Sequence, residues 1–545
     1  MYIKKWVSLI TLSTFVTIPV LTGCSNEEVN SNIESKELLQ NSNARTAITM
    51  AVDKKEITNV ILNNGSLPVN HYTPEGLAIN EQGKDYREIA GNMGYEYNLE
   101  QAKSYWEKAK KELEFDTVTI EVLTSDAESS KRVGEFFQNQ LQNNLEGLTV
   151  DLKQVPFKQK QQLESQGDYD LVYSSWVADY PDPLTFLETF TNNGKFGKNS
   201  GYDRKEYNEL IEKGKNSTTI EESWNHYKKA EELLLSDAFI MPLFQSSSAY
   251  VQKDYVEGIT IIPYGAKYAY KWASAGDNKE LNLTSSSDIP SLDMSKATDS
   301  LSFSVANNVM EGLVRVDNDG KVVEGIAKEW IASEDKKTWT FELREDAKWS
   351  NGDKVSAHDF EYAWKRTLNP KTASQYGFIM YDIIGAEDYN TGKSKDPETV
   401  GVKALDEHTL EVKLVRPVNY FDRLMSFPVF FPQNEKFVTE QIDKYGTTKE
   451  STLYNGPFTL TKWKLDDVYV MDKNQSYWDK EVVNLEVVNT KIVKESSTDV
   501  NLYENGNVDF VGLANEFIDK YKNNPGFSTT KNATTFFMLI NGGEK

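Results

Sequence analysis

TVTIEVLTSDAESSKRVGEFFQNQLQNNLEGLTVDL, residues 117–152, decides the fold class. Val118, Ile120 and Val122 alternate with polar residues, which is the period of a half-buried strand. A helix is expected from about Ser129 to Leu141, and a second strand follows through Leu148, Val150 and Leu152. Strands alternating with helices of this length predict an α/β unit built on a mostly parallel or mixed sheet. Upstream, Asn98 followed by Gln101 offers a capping box for a helix with Leu99, Ala102, Trp106, Ala109 and Leu113 on one stripe. That stripe must pack against something.

Further toward the N-terminus, residues 43–53 place Ala47, Ile48 and Ala51 on one helical face, and the helix is expected to continue through KKEITNVIL. Downstream, Leu171, Val172 and Tyr173 read as a short buried strand that runs into the loop Trp176-Val177-Ala178-Asp179-Tyr180-Pro181-Asp182-Pro183. Helices are expected around Tyr207 to Gly214 and Trp224 to Leu235. The polar run from Ala275 to Lys279 breaks the pattern and reads as a joint between two pieces. Past it, strands are expected at Trp339 to Leu343, Thr409 to Leu414 and Val488 to Val493, a turn at Ser350-Asn351-Gly352-Asp353, and a helix from Ala357 to Arg366 that Leu368-Asn369-Pro370 ends.

The first residues, MYIKKWVSLITLSTFVTIPVLTGC, combine Lys4 and Lys5, an apolar stretch from Trp6 to Leu21, and a small-residue site before Cys24. This is the pattern of an export signal, excluded from fold reasoning. Cys24 is the single cysteine of the chain, so no disulfide forms within it. The body behind the leader is too long for one hydrophobic core, and two to four structural units are expected. Its net charge of -23 disfavours nucleic acid and anionic membrane surfaces as partners. The four histidines, His71, His226, His358 and His408, are far apart, and neither HExxH nor GxSxG occurs. No cofactor and no metal are called for, and a peptidase finds neither nucleophile with base nor metal centre in these motifs.

Several segments carry a family resemblance. They are Asn308-Val309-Met310-Glu311-Gly312-Leu313-Val314, the stretch Trp339 through Pro370 with its KWSNGDKVSAHDFEYAWKRTLNP, and the Trp176 to Pro183 loop, with Tyr454-Asn455-Gly456-Pro457-Phe458 and Asp472 to Trp478 in support. Together they resemble the bacterial oligopeptide-binding lipoproteins of peptide ABC importers, solute-binding protein family 5. Cys24 is similar to a lipobox cysteine, which implies an acyl anchor at the outer face of the cell membrane of a Gram-positive bacterium. The implied fold is α/β and two-lobed, of the periplasmic-binding-protein class II type with an extra inserted domain.

The segment order departs from that family. The half resembling the usual C-terminal part lies directly behind the leader, and the half resembling the mature N-terminus begins near Lys279-Glu280-Leu281, which reads as a circular permutation. The resemblance then implies a signal peptide and lipobox at 1–24 and a tether at 25–34. The second lobe is expected at 35–255, the first lobe at 256–327 with 446–545, and an accessory inserted domain at 328–445. With the chain cut near Asn541 and Glu34, only the interlobe crossover near residue 255 is expected to survive, with looser lobes as the consequence.

The resemblance also implies a site. Asp179 matches the family aspartate that pairs with a ligand α-ammonium, although alone it also reads as a solvated turn residue. Trp176 is expected to line the pocket for the first ligand side chain, beside Tyr180, and Tyr376 matches a cleft tyrosine. Glu311 matches a cleft-facing glutamate, while the residue alone reads equally as helix-terminal or surface. Trp339, Trp349, Phe360 and Trp364 are expected to pack in cores, and Asn455 with Gly456 to set a turn. No basic residue of the cleft is assigned to a ligand carboxylate. The implied partners are oligopeptides with free amino termini and the permease subunits of the importer, and the implied state is a monomer. A receptor for a signalling peptide or another small solute is the alternative within the same fold.

Overall fold

The computed structural model describes residues 32–80 and 82–543; the leader and Cys24 lie outside the described residues. Residues 117–152 form the expected unit. Thr117–Ser125 and Leu148–Val155 are parallel neighbours, with the helix Glu128–Asn144 between them in sequence, longer at both ends than expected. Val118, Ile120 and Val122 are buried on one face of the strand. Asn98 caps Leu99–Leu113 by accepting a hydrogen bond from the Gln101 N–H, and Ala102, Trp106 and Ala109 are buried.

These strands belong to an eight-stranded mixed sheet. Its path runs Asn32–Ile33, Thr117–Ser125, Leu171–Val177, Phe527–Ile540, Ile240–Gln252 and Leu67–Pro68, with Leu148–Val155 and Phe510–Leu513 attached to it. The tether expected at 25–34 is therefore corrected at its end, since Asn32 and Ile33 pair with Thr117 and Val118. The helix expected through residues 43–62 is corrected as well. It stops at Met50, Asp53 caps a new turn at Lys54–Glu56, and Ile57–Leu62 continues as a π-helical turn. An aspartate whose side chain takes a backbone N–H competes with the helix ladder, which is why the break falls there.

The greatest departure concerns Phe527–Ile540. This strand inserts between Leu171–Val177 and Ile240–Gln252, antiparallel to both. Ile240–Gln252 in turn pairs its far end with Phe510–Leu513. Two long strands thus run side by side in one sheet. Both ends of the described chain meet at Asp170. Its carboxylate accepts from Ser35 Oγ at 2.8 Å, and its carbonyl accepts from the Asn541 N–H at 2.9 Å.

The remaining chain builds two four-stranded sheets and three two-stranded ones. Glu280–Ser285 pairs parallel with Val487–Ile492, followed by Val468–Lys473 and Phe458–Lys464. Ala327–Ala332, Thr338–Leu343, Thr409–Lys413 and Val402–Ala404 form an antiparallel sheet, against which Ala357–Leu368 packs. Trp349 and Trp364 are fully buried there, and the Trp364 indole N–H donates to the Phe430 carbonyl at 2.8 Å. The joint at 275–279 is tied down: Ser274–Ala275 pairs with Val256–Glu257, and the Lys279 carbonyl accepts from the Glu486 N–H. Among the described residues, no helix is long and apolar enough to cross a membrane.

Candidate functional site

Three segments distant in sequence meet beyond the end of Leu171–Val177. The pairing of Phe527–Ile540 with Ile240–Gln252 slips between Lys531 and Thr535, which leaves Asn532, Ala533 and Thr534 outside that ladder as a bulge. The Ala533 carbonyl accepts from the Ala178 N–H at 2.9 Å, and the Ala533 N–H donates to the Pro263 carbonyl at 3.1 Å. The loop at 178–183, the bulge and the turn around Pro263 are thereby one hydrogen-bonded unit. The Asn532 amide fastens the bulge to Ser246 and Ser248 through bonds of 3.2 and 3.1 Å.

A cavity of about 330 Å³ opens on this unit, lined among others by Val177, Asp179, Lys267, Phe303, Tyr376 and Asn532. A second cavity of about 420 Å³ continues from it, sharing Lys267 and Ser300 and reaching Ser285, Tyr469 and Asp499. Phe303, Tyr376 and Phe427 form an aromatic wall, with ring centroids 4.9 to 5.7 Å apart.

Asp179 is the anionic feature of the first cavity. Its N–H donates to Thr185 Oγ1 at 3.1 Å, which fixes the loop. Among the described residues nothing donates a hydrogen bond to its carboxylate. Burial, and then the nearby Glu188, push its pKa up to about 6. A carboxylate desolvated next to another acid, with no cation beside it, is stabilised by whatever positive group enters the cavity. Tyr376 faces the same space, its phenol pushed up to about 12 by burial and then by Asp179. The structure therefore brings Asp179 and Tyr376 together from segments about 200 residues apart.

The other expected site residues lie elsewhere. Trp176 is half-buried, donates its indole N–H to the Thr185 carbonyl at 2.7 Å, and meets Phe196 edge-on at 5.6 Å. Successive side chains of a strand face opposite sides, so Val177 rather than Trp176 lines the cavity. Tyr180 turns away from it, stacks on Tyr420 at 5.1 Å, and donates its hydroxyl to Glu188. Both residues position the Asp179 loop.

Glu311 is corrected most plainly. It is fully buried, and its carboxylate accepts from Arg315 Nε at 2.8 Å and from the Tyr477 hydroxyl at 2.6 Å. Burial lowers the Arg315 pKa, but Glu311 and Tyr477 together outweigh it and the net direction is up. The Asn455 side chain brackets the Glu311 backbone, accepting from its N–H at 3.0 Å and donating to its carbonyl at 3.1 Å. Gly456 packs so closely that an added Cβ would come within 2.6 Å of the Met310 backbone. Glu311 is thus an internal ion-pair centre, and with no oxygen turned to the cavity it cannot meet a ligand there.

Sequence reasoning missed Lys267, Phe303, Phe427 and Asn532. The aromatic pair reads as core, and a lysine in a turn reads as surface. The one available signal was the polar pair Lys531-Asn532 inside an otherwise strand-like run, since asparagine is depleted in strands.

Residues 22–198 and 321–545 match the model of the bacterial extracellular solute-binding proteins, family 5 Middle. The dipeptide-binding protein DppE of Bacillus subtilis is 38% identical over 277 residues, 51% of each chain. The oligopeptide-binding protein OppA of the same organism is 40% identical over 234 residues, 43% of each chain. A crystal structure of an oligopeptide ABC transporter substrate-binding domain from Bacillus anthracis aligns at 48% identity and a TM-score of 0.45, over 46% of this chain and 48% of that one. Listeria monocytogenes OppA bound to peptide aligns at 42% identity and a TM-score of 0.45, over 46% and 49%. The chain spans about half the length of the curated relatives it matches. With the family model covering well over half of its residues, the chain belongs to the bacterial extracellular solute-binding proteins of family 5, which bind solutes and are not enzymes.

Proposed function

We propose that this protein captures peptides with a free amino end in the cavity beneath Asp179 and hands them to the permease of an ABC importer, held at the outer membrane face by an acyl chain on Cys24. The observation that carries this reading is the carboxylate of Asp179, desolvated, without a cation, and facing an aromatic-walled cavity of peptide-residue size. The relatives that are named for dipeptide or oligopeptide binding support the same ligand class.

We further propose that the segment order is a circular permutation of the family's. The meeting of residues 35 and 541 at Asp170 supports it, because a break there severs no strand. Both crossover strands then remain available to hinge the lobes.

The test is calorimetric titration of the full chain in detergent with tri-alanine and with N-acetyl tri-alanine. The free peptide is expected to bind, and acetylation is expected to cost about a hundredfold, because it removes the ammonium while leaving Asp179 buried and unpaired. Equal affinities would remove Asp179 from the role.

The pH dependence has a definite sign. Below about pH 6 the free protein carries a proton on Asp179 that an ammonium must displace, so affinity is expected to fall by up to about tenfold per pH unit on acidification. Above about pH 8 the peptide amine loses its charge, and affinity falls again. Titrations across this range check the plateau between the two limits. Without ligand, the folded protein binds this proton more tightly than the unfolded chain, whose value is 3.8. Asp179's contribution to stability is therefore greatest at low pH and declines as pH rises to about 6.

A further inference from the structure

We infer that the Lys54 amine is a covalent capture site for short hydroxyaldehydes, condensing with the carbonyl carbon of a small molecule that enters the cavity around it. This cavity, of about 330 Å³, is lined by Asn70, Asn92, Glu96 and Tyr97 among others, and it shares no lining residue with the two cavities at Asp179. The inference is independent of the peptide reading.

The Asp53 side chain accepts from the Lys55 N–H at 2.9 Å and so starts the turn Lys54–Glu56, of which Lys54 is the first residue. Lys54 is only 4% exposed, whereas Asn92, Glu96 and Tyr97 stand in solvent, so the cavity has a wet rim and a buried amine. Two oxygens receive that amine, Asn70 Oδ1 at 2.7 Å and the Tyr95 carbonyl at 3.3 Å. An ammonium brings three N–H groups to these two acceptors and leaves one over. A neutral amine brings two, is fully satisfied, and keeps a lone pair for whatever the cavity admits.

The electrostatics agree with the hydrogen-bond count. Lys160, equally buried, shows the ordinary arrangement, with its Nζ 2.7 Å from the Glu164 carboxylate and 3.1 Å from Ser174 Oγ. Lys54 has two neutral acceptors instead, and burial outweighs the more distant Glu96 and brings its pKa down to about 7. The other titratable groups of the cavity are Asp53 and Lys55 on its own turn, with Glu96 and Tyr97 on the facing segment, while Pro68, Asn70 and Asn92 carry no charge. At pH 7.5 about three quarters of Lys54 is therefore neutral, against about one in a thousand for an ordinary lysine. A neutral, desolvated lysine is the form that attacks carbonyl groups.

The step is a condensation and needs no oxidant or reductant. The Nζ lone pair adds to the aldehyde carbon, and the two nitrogen protons leave with the carbonyl oxygen as water, so amine and aldehyde become imine and water. The lining selects the aldehyde. With Lys54 neutral, the carboxylates of Asp53 and Glu96 outnumber the Lys55 ammonium, which disfavours an oxo acid against an uncharged aldehyde. The amides of Asn70 and Asn92 and the Glu96 carboxylate supply hydrogen-bond partners for hydroxyl groups.

The experiment incubates the full chain in detergent with glycolaldehyde, and separately with glyoxylate, at pH 7.5 and at pH 10.5. Sodium cyanoborohydride delivers hydride to the imine carbon and fixes the adduct as a secondary amine, which peptide mass mapping assigns to individual lysines. With glycolaldehyde at pH 7.5, Lys54 is expected to react about tenfold or more faster than the mean of the other lysines. That excess is expected to be smaller with glyoxylate, and to disappear at pH 10.5, where ordinary lysines also lose their protons. Lys54→Arg, which keeps a donor at the two oxygens, is expected to abolish the selective label and leave the labelling of the other lysines unchanged. A Lys54 that reacts no faster than the other lysines with glycolaldehyde at pH 7.5 overturns the inference. An excess undiminished at pH 10.5 overturns the neutral-amine basis, and a larger excess with glyoxylate overturns the ligand class. The comparison among lysines of the native sequence decides the matter even if the variant does not fold.

Discussion

Asp179→Ala is expected to lower affinity for peptides with free amino ends by about 3 kcal/mol, roughly a hundredfold, without loss of folding stability. The cost arises because the bound ammonium would sit in an aromatic, partly desolvated cavity with no anion to replace water. Stability is spared for the complementary reason. In the ligand-free protein the carboxylate is itself desolvated beside Glu188, so removing it relieves a penalty near neutral pH. Calorimetry and thermal unfolding on the same preparation separate the two effects. A variant that binds as well as the unmodified protein would show that the amino end is recognised elsewhere, and one that unfolds readily would make Asp179 a structural residue. Asp179→Asn, which keeps the shape, is expected to reproduce the loss of affinity.

Glu311→Ala is expected to do the opposite, costing about 3 to 5 kcal/mol of folding stability with little effect on the affinity of the protein that remains folded. The substitution leaves the Arg315 guanidinium buried and charged, and takes the acceptor from the Tyr477 hydroxyl. Chemical unfolding monitored by tryptophan fluorescence measures the first quantity. The double variant Glu311→Leu with Arg315→Met removes both charges together and is expected to recover much of the loss, since a buried pair contributes little over an apolar pair of similar volume. A fully stable Glu311→Ala protein that no longer binds peptide would return Glu311 to the cleft.

Local chemistry was readable where a short stretch carries its own period or cap. The strands at 117–125 and 148–155, the Asn98 cap and the buried Trp364 helix followed from alternation, spacing and amphipathicity, because each depends on neighbours within a few residues. The π-helical turn after Asp53 was not readable, because the competing helix pattern runs through it without interruption. The site was half legible. Asp179 stands out as a carboxylate in an aromatic and proline-rich loop, but Trp176 and Tyr180 share that loop and still point away from the cavity.

By itself, then, the sequence determined the α/β class, the family and the candidate anion of the site, since these reside in periodicity and in contiguous motifs. The tertiary structure alone decided the rest. It placed Phe527–Ile540 beside Ile240–Gln252, a pairing between segments far apart in the sequence. It buried Glu311 against Arg315 and left Lys267 without a carboxylate, two outcomes that the residue types do not distinguish. The reason is that pairing partners and desolvation are properties of distant segments brought together. A lysine or a glutamate carries its charge in the sequence, but its partner is chosen by the fold.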